Sequence, residues 1–315
     1  MPATSDPALR RQTLLGILCA VAASLFFSFN DVAIKFLSGD YALHQVVLIR
    51  SVVGITFVLG VIAPLAGGYR ALRTRRLPAL VLRGSFVVVS NLCYFLGLAA
   101  LPLADTVAIF FVAPLLITAL SVPFLGETVG PRRWAAVGVG LLGVIVMLRP
   151  GGAFQWALLL PLVSALAYAG MHMMTRLLKG SENAVAMTLY VQLTFLVVCI
   201  AMGLAFGSGQ FAAQTDPSLA FLFRAWVWPA PWDWPVMVIS GLASAIGGLL
   251  IAQAYRLCEA GLAAPFEYGA VPLAILWGAT IFGEWPDGTA WIGIALICGA
   301  GLFVFWREAV AARRT

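Results

Sequence analysis

Long apolar runs separated by short polar segments make up almost the whole chain. A helix needs about 20 mostly apolar residues to cross the hydrocarbon core of a bilayer, and the sequence contains ten runs of roughly that length. We place them at residues 13–37, 43–66, 78–101, 104–125, 131–149, 155–178, 184–206, 234–258, 262–283 and 289–307, and number them from the first to the tenth span. The pattern predicts an all-α integral membrane protein with ten transmembrane helices.

The basic residues between the runs predict which way each span points. Lys and Arg close to span ends are retained on the cytoplasmic side, and an N-terminus inside puts fifteen of the nineteen Lys and Arg residues in cytoplasmic segments. Most tryptophans then fall at the outer ends of the spans, where an amphipathic ring prefers the headgroup level. We therefore expect a bacterial-type inner membrane protein with cytoplasmic tails at 1–12 and 308–315. The loop at 207–233 is then external, with its aromatic residues on the membrane surface.

The composition and the short motifs exclude several other classes of protein. Hydrophobic residues make up 62% of the chain and charged residues 10%, and the mean hydropathy is +0.99, whereas a soluble domain has roughly 25% charged residues. The net charge of +6 lies in short loops without a continuous basic stripe, so it does not predict nucleic-acid binding. The cysteines and histidines show no metal-ligand spacing, and the glycine-rich GVGLLG (138–143) follows no strand, so we expect neither a metal nor a cofactor. A cleaved signal peptide is the rival interpretation of the first run, but that run is long and no clear cleavage signal follows it.

The second half of the chain repeats the first. FLGETVGPRRWAAVGVGLLGVIVML from Phe124 aligns with IFGEWPDGTAWIGIALICGAGLFVF from Ile281 at an offset of 157, and IKFLSG from Ile34 aligns with TRLLKG from Thr175 at an offset of 141. The aligned pairs include Gly126 with Gly283, Glu127 with Glu284, Trp134 with Trp291, Lys35 with Arg176 and, within one residue, Pro114 with Pro272. We therefore expect two repeats of five spans each, 13–149 and 155–307.

An odd number of spans in each repeat has a consequence for topology. The second repeat enters the membrane from the opposite side, so a pseudo-two-fold axis in the membrane plane relates the two repeats. Inverted repeats of this kind are typical of secondary transporters, which work by alternating access around a site near the midplane. A channel and a membrane enzyme are the rival classes, but the sequence has no charged ring, filter sequence or nucleophile arrangement that favours either.

The repeat segments, together with LPLADTVAIFFVAPLL (101–116) and AAPFEYGAVPLAILWGATIFGE (263–284), resemble the two EamA-type repeats of the drug/metabolite transporter superfamily. The resemblance covers roughly residues 13–307. It implies a basket in which the first, third, fourth, sixth, eighth and ninth spans line a central cavity, while the fifth and tenth are peripheral. Family members move small metabolites, and many export amino acids, including aromatic ones. FFSFND (26–31) and VLIRS (47–51) are closer to a branch that takes up solutes like S-adenosylmethionine or vitamins.

Polar residues inside the outer half of the spans are the first candidates for substrate binding, because charges within a membrane are costly and therefore usually functional. At a rise of about 1.5 Å per residue, Asn30 and Asp31 lie in the outer half, level with Arg50 of the second span, and Lys35 lies at the outer rim. Asp31 is either a substrate ligand or half of a structural ion pair with Lys35 or Arg50. Lys35 by itself is typical of an anchor that reaches the headgroups.

The inner half carries titratable groups of its own. His172 lies near the cytoplasmic end of the sixth span, where the repeat aligns it with Asp31, and Glu267 lies inside the ninth span. His172 is either a proton-sensing group or a satisfied core histidine. Glu267 is a candidate ligand for a substrate amine or a proton carrier. If exchange with protons drives transport, one of these two residues is the expected carrier.

The remaining candidates are polar and aromatic side chains of the lining spans. Asn91 and Gln253 are either substrate ligands or hydrogen-bond partners between helices. Tyr94, Tyr168 and Tyr268 predict an apolar lining that accepts aromatic or aliphatic groups.

Two prolines and the overall pattern complete the prediction. Pro114 and Pro272 fall near the middle of the fourth and ninth spans, where a missing amide donor loosens the helix, so we expect hinges there.

The leading hypothesis is a secondary transporter that exports amino acids across the inner membrane by alternating access. Uptake of a solute like S-adenosylmethionine or riboflavin is the alternative. The expected partners are a small-molecule substrate, protons and the lipid bilayer.

Overall fold

Helices account for most of the computed structural model, which describes residues 7–65, 67–74, 76–126, 129–148, 155–177, 184–257 and 266–312. No strand occurs within those ranges. Of the described helices, 8 are long and apolar enough to cross a membrane, and two shorter apolar helices, Ala270–Phe282 and Gly288–Val304, occupy the predicted ninth and tenth spans. The prediction of an all-α membrane protein with ten helical spans is confirmed.

The helix bounds follow the apolar runs closely. The first helix begins at Pro7 and the tenth continues to Ala312, so part of each predicted tail is helical. The fourth span consists of two helices with a short interruption, and residues 262–265 of the predicted ninth span lie outside the described ranges. In chain order the spans are Pro7–Leu37; Leu43–Phe57 with Val58–Ile62 and Ala63–Leu65; Leu77–Ala100; Leu103–Phe110 with Ala113–Leu125; Pro131–Leu148; Trp156–Leu158 with Leu159–Leu177; Ala184–Phe206; Trp234–Leu257; Ala270–Trp277 with Gly278–Phe282; and Gly288–Ala312.

The spans pack in pairs that obey a two-fold symmetry. The first span packs on the eighth, and the sixth span, its counterpart in the second repeat, packs on the third. The second span packs on the eighth, and its counterpart, the seventh, packs on the third. In the same way, the first span contacts the ninth, and its counterpart, the sixth, contacts the fourth. The remaining large contacts join counterparts directly: second with seventh, fourth with ninth, and fifth with tenth. The ten helices therefore form two inverted repeats.

Two close helix crossings reproduce the sequence offsets. A Cβ atom added to Gly84 of the third span would lie 2.5 Å from Thr194 Oγ1 of the seventh, and one added to Gly241 of the eighth span would lie 2.6 Å from Val53 Cβ of the second. Gly84 and Gly241 are 157 positions apart, and Val53 and Thr194 are 141 apart. These two crossings are therefore symmetry copies of each other.

The ends of the fourth and ninth spans are symmetry copies as well. Gly126 and Gly283 follow these spans with φ angles of 66° and 67°, a left-handed conformation that costs glycine little and other residues more. Glu284, which follows Gly283, is described, whereas its sequence counterpart Glu127 lies outside the described residues.

The loop at 207–233 folds over one end of the bundle, which we call the tryptophan end because Trp156 and Trp285 also lie there. The opposite end, with Arg73 and Arg132, is called the arginine end.

Sequence patterns did not predict the short helix Pro217–Phe223 in the loop at 207–233. Asp216 caps this helix by accepting a hydrogen bond of 3.1 Å from Leu219 N. Trp156 Nε1 also donates to Asp216, at 2.7 Å.

Further contacts fasten this loop across the bundle. Arg224 Nη1 donates to the carbonyls of Ser38 at 2.7 Å and Tyr41 at 3.2 Å, and Ser218 Oγ donates to the carbonyl of Leu96 at 2.8 Å. Phe221 is completely buried, so the expectation that the aromatic residues of the loop lie on the membrane surface is wrong for this ring. The loop is therefore a fixed cap on the tryptophan end.

Candidate functional site

Interruptions of the fourth and ninth spans meet at the centre of the molecule. The fourth span is interrupted at Phe111 and Val112, and the ninth at Tyr268 and Gly269. The Phe111 and Tyr268 rings, which are 157 positions apart in the chain, lie 4.8 Å from each other. Tyr268 Oη donates to the carbonyl of Phe111 at 3.3 Å. The pseudo-two-fold axis therefore passes near a contact between two interrupted helices.

The predicted hinge prolines explain where the interruptions occur. Pro114 lies in the first turn after the interruption of the fourth span, and Pro272 in the first turn after that of the ninth. Proline has no N–H for the carbonyl one turn earlier, so the backbone there is free to leave the helix. Leu115 N bonds Val112 O instead of Phe111 O, which frees the Phe111 carbonyl for Tyr268. Bending at these points during transport stays a prediction.

Asp31 lies beside this central crossing and is held by hydrogen bonds. Tyr94 Oη donates to Asp31 Oδ2 at 2.9 Å, and Asn30 Nδ2 donates to Asp31 Oδ1 at 3.4 Å. Asn30 Oδ1 in turn accepts a hydrogen bond of 2.9 Å from Ser240 Oγ of the eighth span. The first, third and eighth spans thus share one polar network.

A small pocket opens beside the Asp31 carboxylate. It is lined by the first, fourth and ninth spans, at Ser28, Asp31, Leu103, Val107, Ala270, Ala274 and Trp277. Its volume is about 10 Å³, which has room for roughly one water molecule. Trp277 Nε1 donates to Ser28 Oγ at 3.2 Å across it. The helices around Asp31 are therefore closed on each other in this state.

Of the two ion pairs that the sequence allows for Asp31, the one with Lys35 is wrong. Lys35 Nζ lies 2.8 Å from Glu284 Oε1 instead. Arg50 does not form a short ion pair either: its guanidinium lies 5.1 Å from the Phe95 ring centre and 4.8 Å from that of Phe195, with 2% of the residue exposed. Asp31 and Arg50 attract each other only at longer range.

A chain of aromatic rings joins Asp31 to the predicted inner site. Tyr94 contacts Phe110 edge to face at 5.2 Å, Phe110 contacts Tyr168 at 5.2 Å, and Tyr168 contacts His172 at 4.6 Å between ring centres. These rings belong to the third, fourth and sixth spans. The structure therefore brings Asp31 and His172, which the repeat aligns, to the two ends of one aromatic path.

Glu267 and Tyr268 belong to the same central region. Glu267 is partly buried and interacts electrostatically with Tyr168 and Tyr268. Asn91 is less central, because its Nδ2 donates to Val87 O of its own helix at 3.1 Å. Gln253 is partly buried in the eighth span. Of the predicted site residues, Asp31, Tyr94, Tyr168 and His172 thus lie along the path. Asn30 and Glu267 interact with residues on it.

Sequence reasoning missed several residues of this region. Ser240 and Trp277 bond the polar residues of the first span, Phe110 joins Tyr94 to Tyr168, and Glu284 pairs with Lys35. Glu284 had a signal, because it recurs in both repeats. Phe110 had one too, since it lies one helical turn before Pro114. No group of three or more potential metal ligands occurs in the part of the chain that the structure describes.

Comparisons with known proteins agree with this architecture. The sequence profile of the EamA-like transporter family matches residues 14–149. A riboflavin transporter of Rhizobium johnstonii is 31% identical over 302 residues, covering 94% of this chain and 93% of the relative. An S-adenosylmethionine uptake transporter of Rickettsia prowazekii is 24% identical over 303 residues, covering 94% of this chain and 95% of the relative. A solved crystal structure has the same fold, with a TM-score of 0.62 at 21% identity over 95% of this chain and 98% of that one.

Proposed function

The chain belongs to the EamA-like transporter family, and on that premise we propose that it carries a planar heteroaromatic solute of the riboflavin class into the cell by alternating access. It is a multi-pass membrane transporter of the drug/metabolite transporter superfamily and not an enzyme. The substrate and the direction are the proposed part.

The aromatic path from Tyr94 to His172 is the observation that supports this substrate class. A riboflavin molecule combines a flat, three-ring heterocycle with a flexible chain of hydroxyl groups. Edge and face contacts with Tyr94, Phe110 and Tyr168 suit the flat ring. The hydroxyl chain needs hydrogen-bond acceptors, and the Asp31 carboxylate supplies them at the end of the same path. The name of the relative from Rhizobium johnstonii supports the same class.

The closed arrangement around Asp31 suits one stage of an alternating-access cycle. The rings along the path contact each other directly, and the pocket beside Asp31 holds roughly one water. A solute with three fused rings needs the first, fourth and ninth spans to separate. The interruptions near Pro114 and Pro272 are the proposed points of bending.

An S-adenosylmethionine-like solute is the second candidate. A sulfonium cation is attracted by aromatic faces and by a carboxylate, and Asp31, Tyr94 and Glu267 offer these groups. The relative from Rickettsia prowazekii carries that name. Amino-acid export stays a prediction, and neither of the two relatives named above is an amino-acid exporter by name.

Competition for uptake separates these candidates. Cells that lack their own riboflavin uptake are made to express the chain, and the entry of labelled riboflavin is followed with unlabelled riboflavin, S-adenosylmethionine or tryptophan in excess. We expect expression to confer saturable riboflavin entry that only riboflavin and close analogues inhibit. Entry equal to that of cells without the chain contradicts the proposal. Inhibition by S-adenosylmethionine or tryptophan at lower concentrations than riboflavin overturns the substrate class.

A further inference from the structure

We propose that Lys35 and Glu284 form the gate that closes the transport path at the tryptophan end. The proposal builds on the proposed function only in requiring that a solute passes between the repeats. It does not depend on which solute that is.

Lys35 ties the first span to the connection between the third and fourth spans. Its Nζ atom donates to the carbonyl of Leu101 at 2.6 Å and to that of Leu98 at 3.3 Å, in addition to its contact of 2.8 Å with Glu284 Oε1. The Phe282 ring lies 5.3 Å from the same ammonium group. One side chain near the end of the first span therefore holds two other parts of the bundle.

Glu284 completes the junction from the other side. Its second carboxylate oxygen accepts a hydrogen bond of 2.9 Å from Leu103 N, at the start of the fourth span. The first N–H groups of a helix have no partner within the helix, and a carboxylate there is further stabilised by the helix dipole. The Lys35–Glu284 pair thus joins the first span, the start of the fourth span and the end of the ninth.

The position of this junction makes it a gate rather than a remote surface contact. Lys35 lies one helical turn beyond Asp31, about 6 Å along the first span. The pocket beside Asp31 is lined by the first, fourth and ninth spans, which are the spans that the pair holds together. A solute from the tryptophan end reaches Asp31 only if these spans separate, and separation breaks the pair.

The exposure of the pair suits reversible opening. The Lys35 side chain is 10% exposed and that of Glu284 29% exposed, so solvent reaches part of the pair even in the closed state. Removing one member of a desolvated pair leaves the other charge without compensation, which is strongly unfavourable. In an open gate, however, water solvates both charges together. The pair therefore stabilises the closed gate without making it permanent.

Accessibility of a cysteine in the pocket tests the gate without any substrate. The reporter is Ala274→Cys, in a chain whose five native cysteines are replaced by alanine, and a membrane-impermeant thiol reagent is added to intact cells. Glu284→Gln keeps an acceptor for Leu103 N but removes the charge, and Lys35→Met keeps the length of the side chain. Asp40→Asn is the matched control, because Asp40 is an exposed carboxylate at the same end.

We expect Glu284→Gln and Lys35→Met each to speed labelling about tenfold, which corresponds to about 1.4 kcal/mol of lost closed-state stabilisation. The double variant is expected to label no faster than either single variant, because the two residues act as one unit. Asp40→Asn is expected to label like the parent chain. Unchanged labelling in both single variants, with normal amounts of folded protein, overturns the gate. If labelling changes but cells that express the unaltered chain take up no riboflavin, the proposed substrate fails and the gate stands.

Discussion

The two charged residues of the first span that lie inside the bundle, Asp31 and Lys35, are each held by specific partners. Burying a charge or polar group in an apolar environment is costly unless hydrogen bonds or another charge compensate it. Asp31 has Tyr94 and Asn30, and Lys35 has Glu284 and two carbonyls. Although a single helical turn separates them, their surroundings differ: Asp31 lines the pocket, whereas Lys35 pairs with Glu284.

The Tyr94 hydroxyl provides a prediction at the scale of one atom. Tyr94→Phe keeps the ring and its contact with Phe110 but removes the hydrogen bond to Asp31. A hydrogen bond to a charged group contributes about 1.5–3 kcal/mol, so we expect the KM for riboflavin uptake to rise by roughly tenfold or more. Tyr190→Phe in the seventh span is the control with the same chemical change. Equal KM values for the two variants would contradict a role of the Tyr94–Asp31 bond in substrate binding.

The pairing of elements follows the repeat, and so do the interruptions of the fourth and ninth spans. Apolar length predicts the spans well, because a bilayer imposes it on every helix. The two interruptions were predictable only approximately, from Pro114 and Pro272. Their exact position also depends on the contact between Phe111 and Tyr268, which are distant in sequence. Local patterns carry no information about such a contact.

The fourth-span interruption leads to a prediction about transport rate. Pro114→Ala restores an N–H that can bond the carbonyl one turn earlier, which favours a continuous helix. If the interruption bends during transport, the maximal rate of riboflavin uptake should fall severalfold while KM changes little. Pro123→Ala, at an exposed position near the end of the same span, is the matched control. An unchanged maximal rate for Pro114→Ala would remove the hinge from the mechanism.

The crossing of the fifth and tenth spans leads to a prediction about stability. A Cβ atom on Gly143 would lie 2.9 Å from side-chain atoms of Leu296 and Ile297 and 3.1 Å from the carbonyl oxygen of Gly293. Overpacking of this kind costs about 1–3 kcal/mol, so Gly143→Ala should lower the melting temperature in detergent by several degrees. Gly138→Ala in the same helix meets nothing within 4 Å and should leave it unchanged. Equal melting temperatures for the two variants would show that the fifth and tenth spans accommodate the added methyl group without loss of stability.

At the scale of the whole molecule, a pseudo-two-fold axis relates the two inverted repeats. The sequence predicted this symmetry from a few aligned residues, and the helix pairs reproduce it. It could not predict that Lys35 pairs with Glu284 or that Asn30 bonds Ser240. Both contacts join opposite halves of the chain, and only the packing of the repeats brings them together.

The orientation of the molecule in the membrane is a prediction at the same scale. The loop charges predict that the tryptophan end faces outside. In a chain without native cysteines, an impermeant thiol reagent added to intact cells should label Ser208→Cys in the loop cap but not Gly130→Cys at the arginine end, although both positions are exposed. If the reagent labels Gly130→Cys but not Ser208→Cys, the arginine end faces outside and the predicted orientation is wrong.

Counterflow in proteoliposomes tests whether the chain is a riboflavin carrier. Vesicles that contain the purified protein are loaded with unlabelled riboflavin and diluted into a trace of labelled riboflavin. A site that faces one side at a time exchanges label for unlabelled solute, so the label should rise transiently above its final level and saturate with substrate concentration. Vesicles without protein should show no such rise. A linear, unsaturable entry without overshoot, or none at all, would contradict the proposed function.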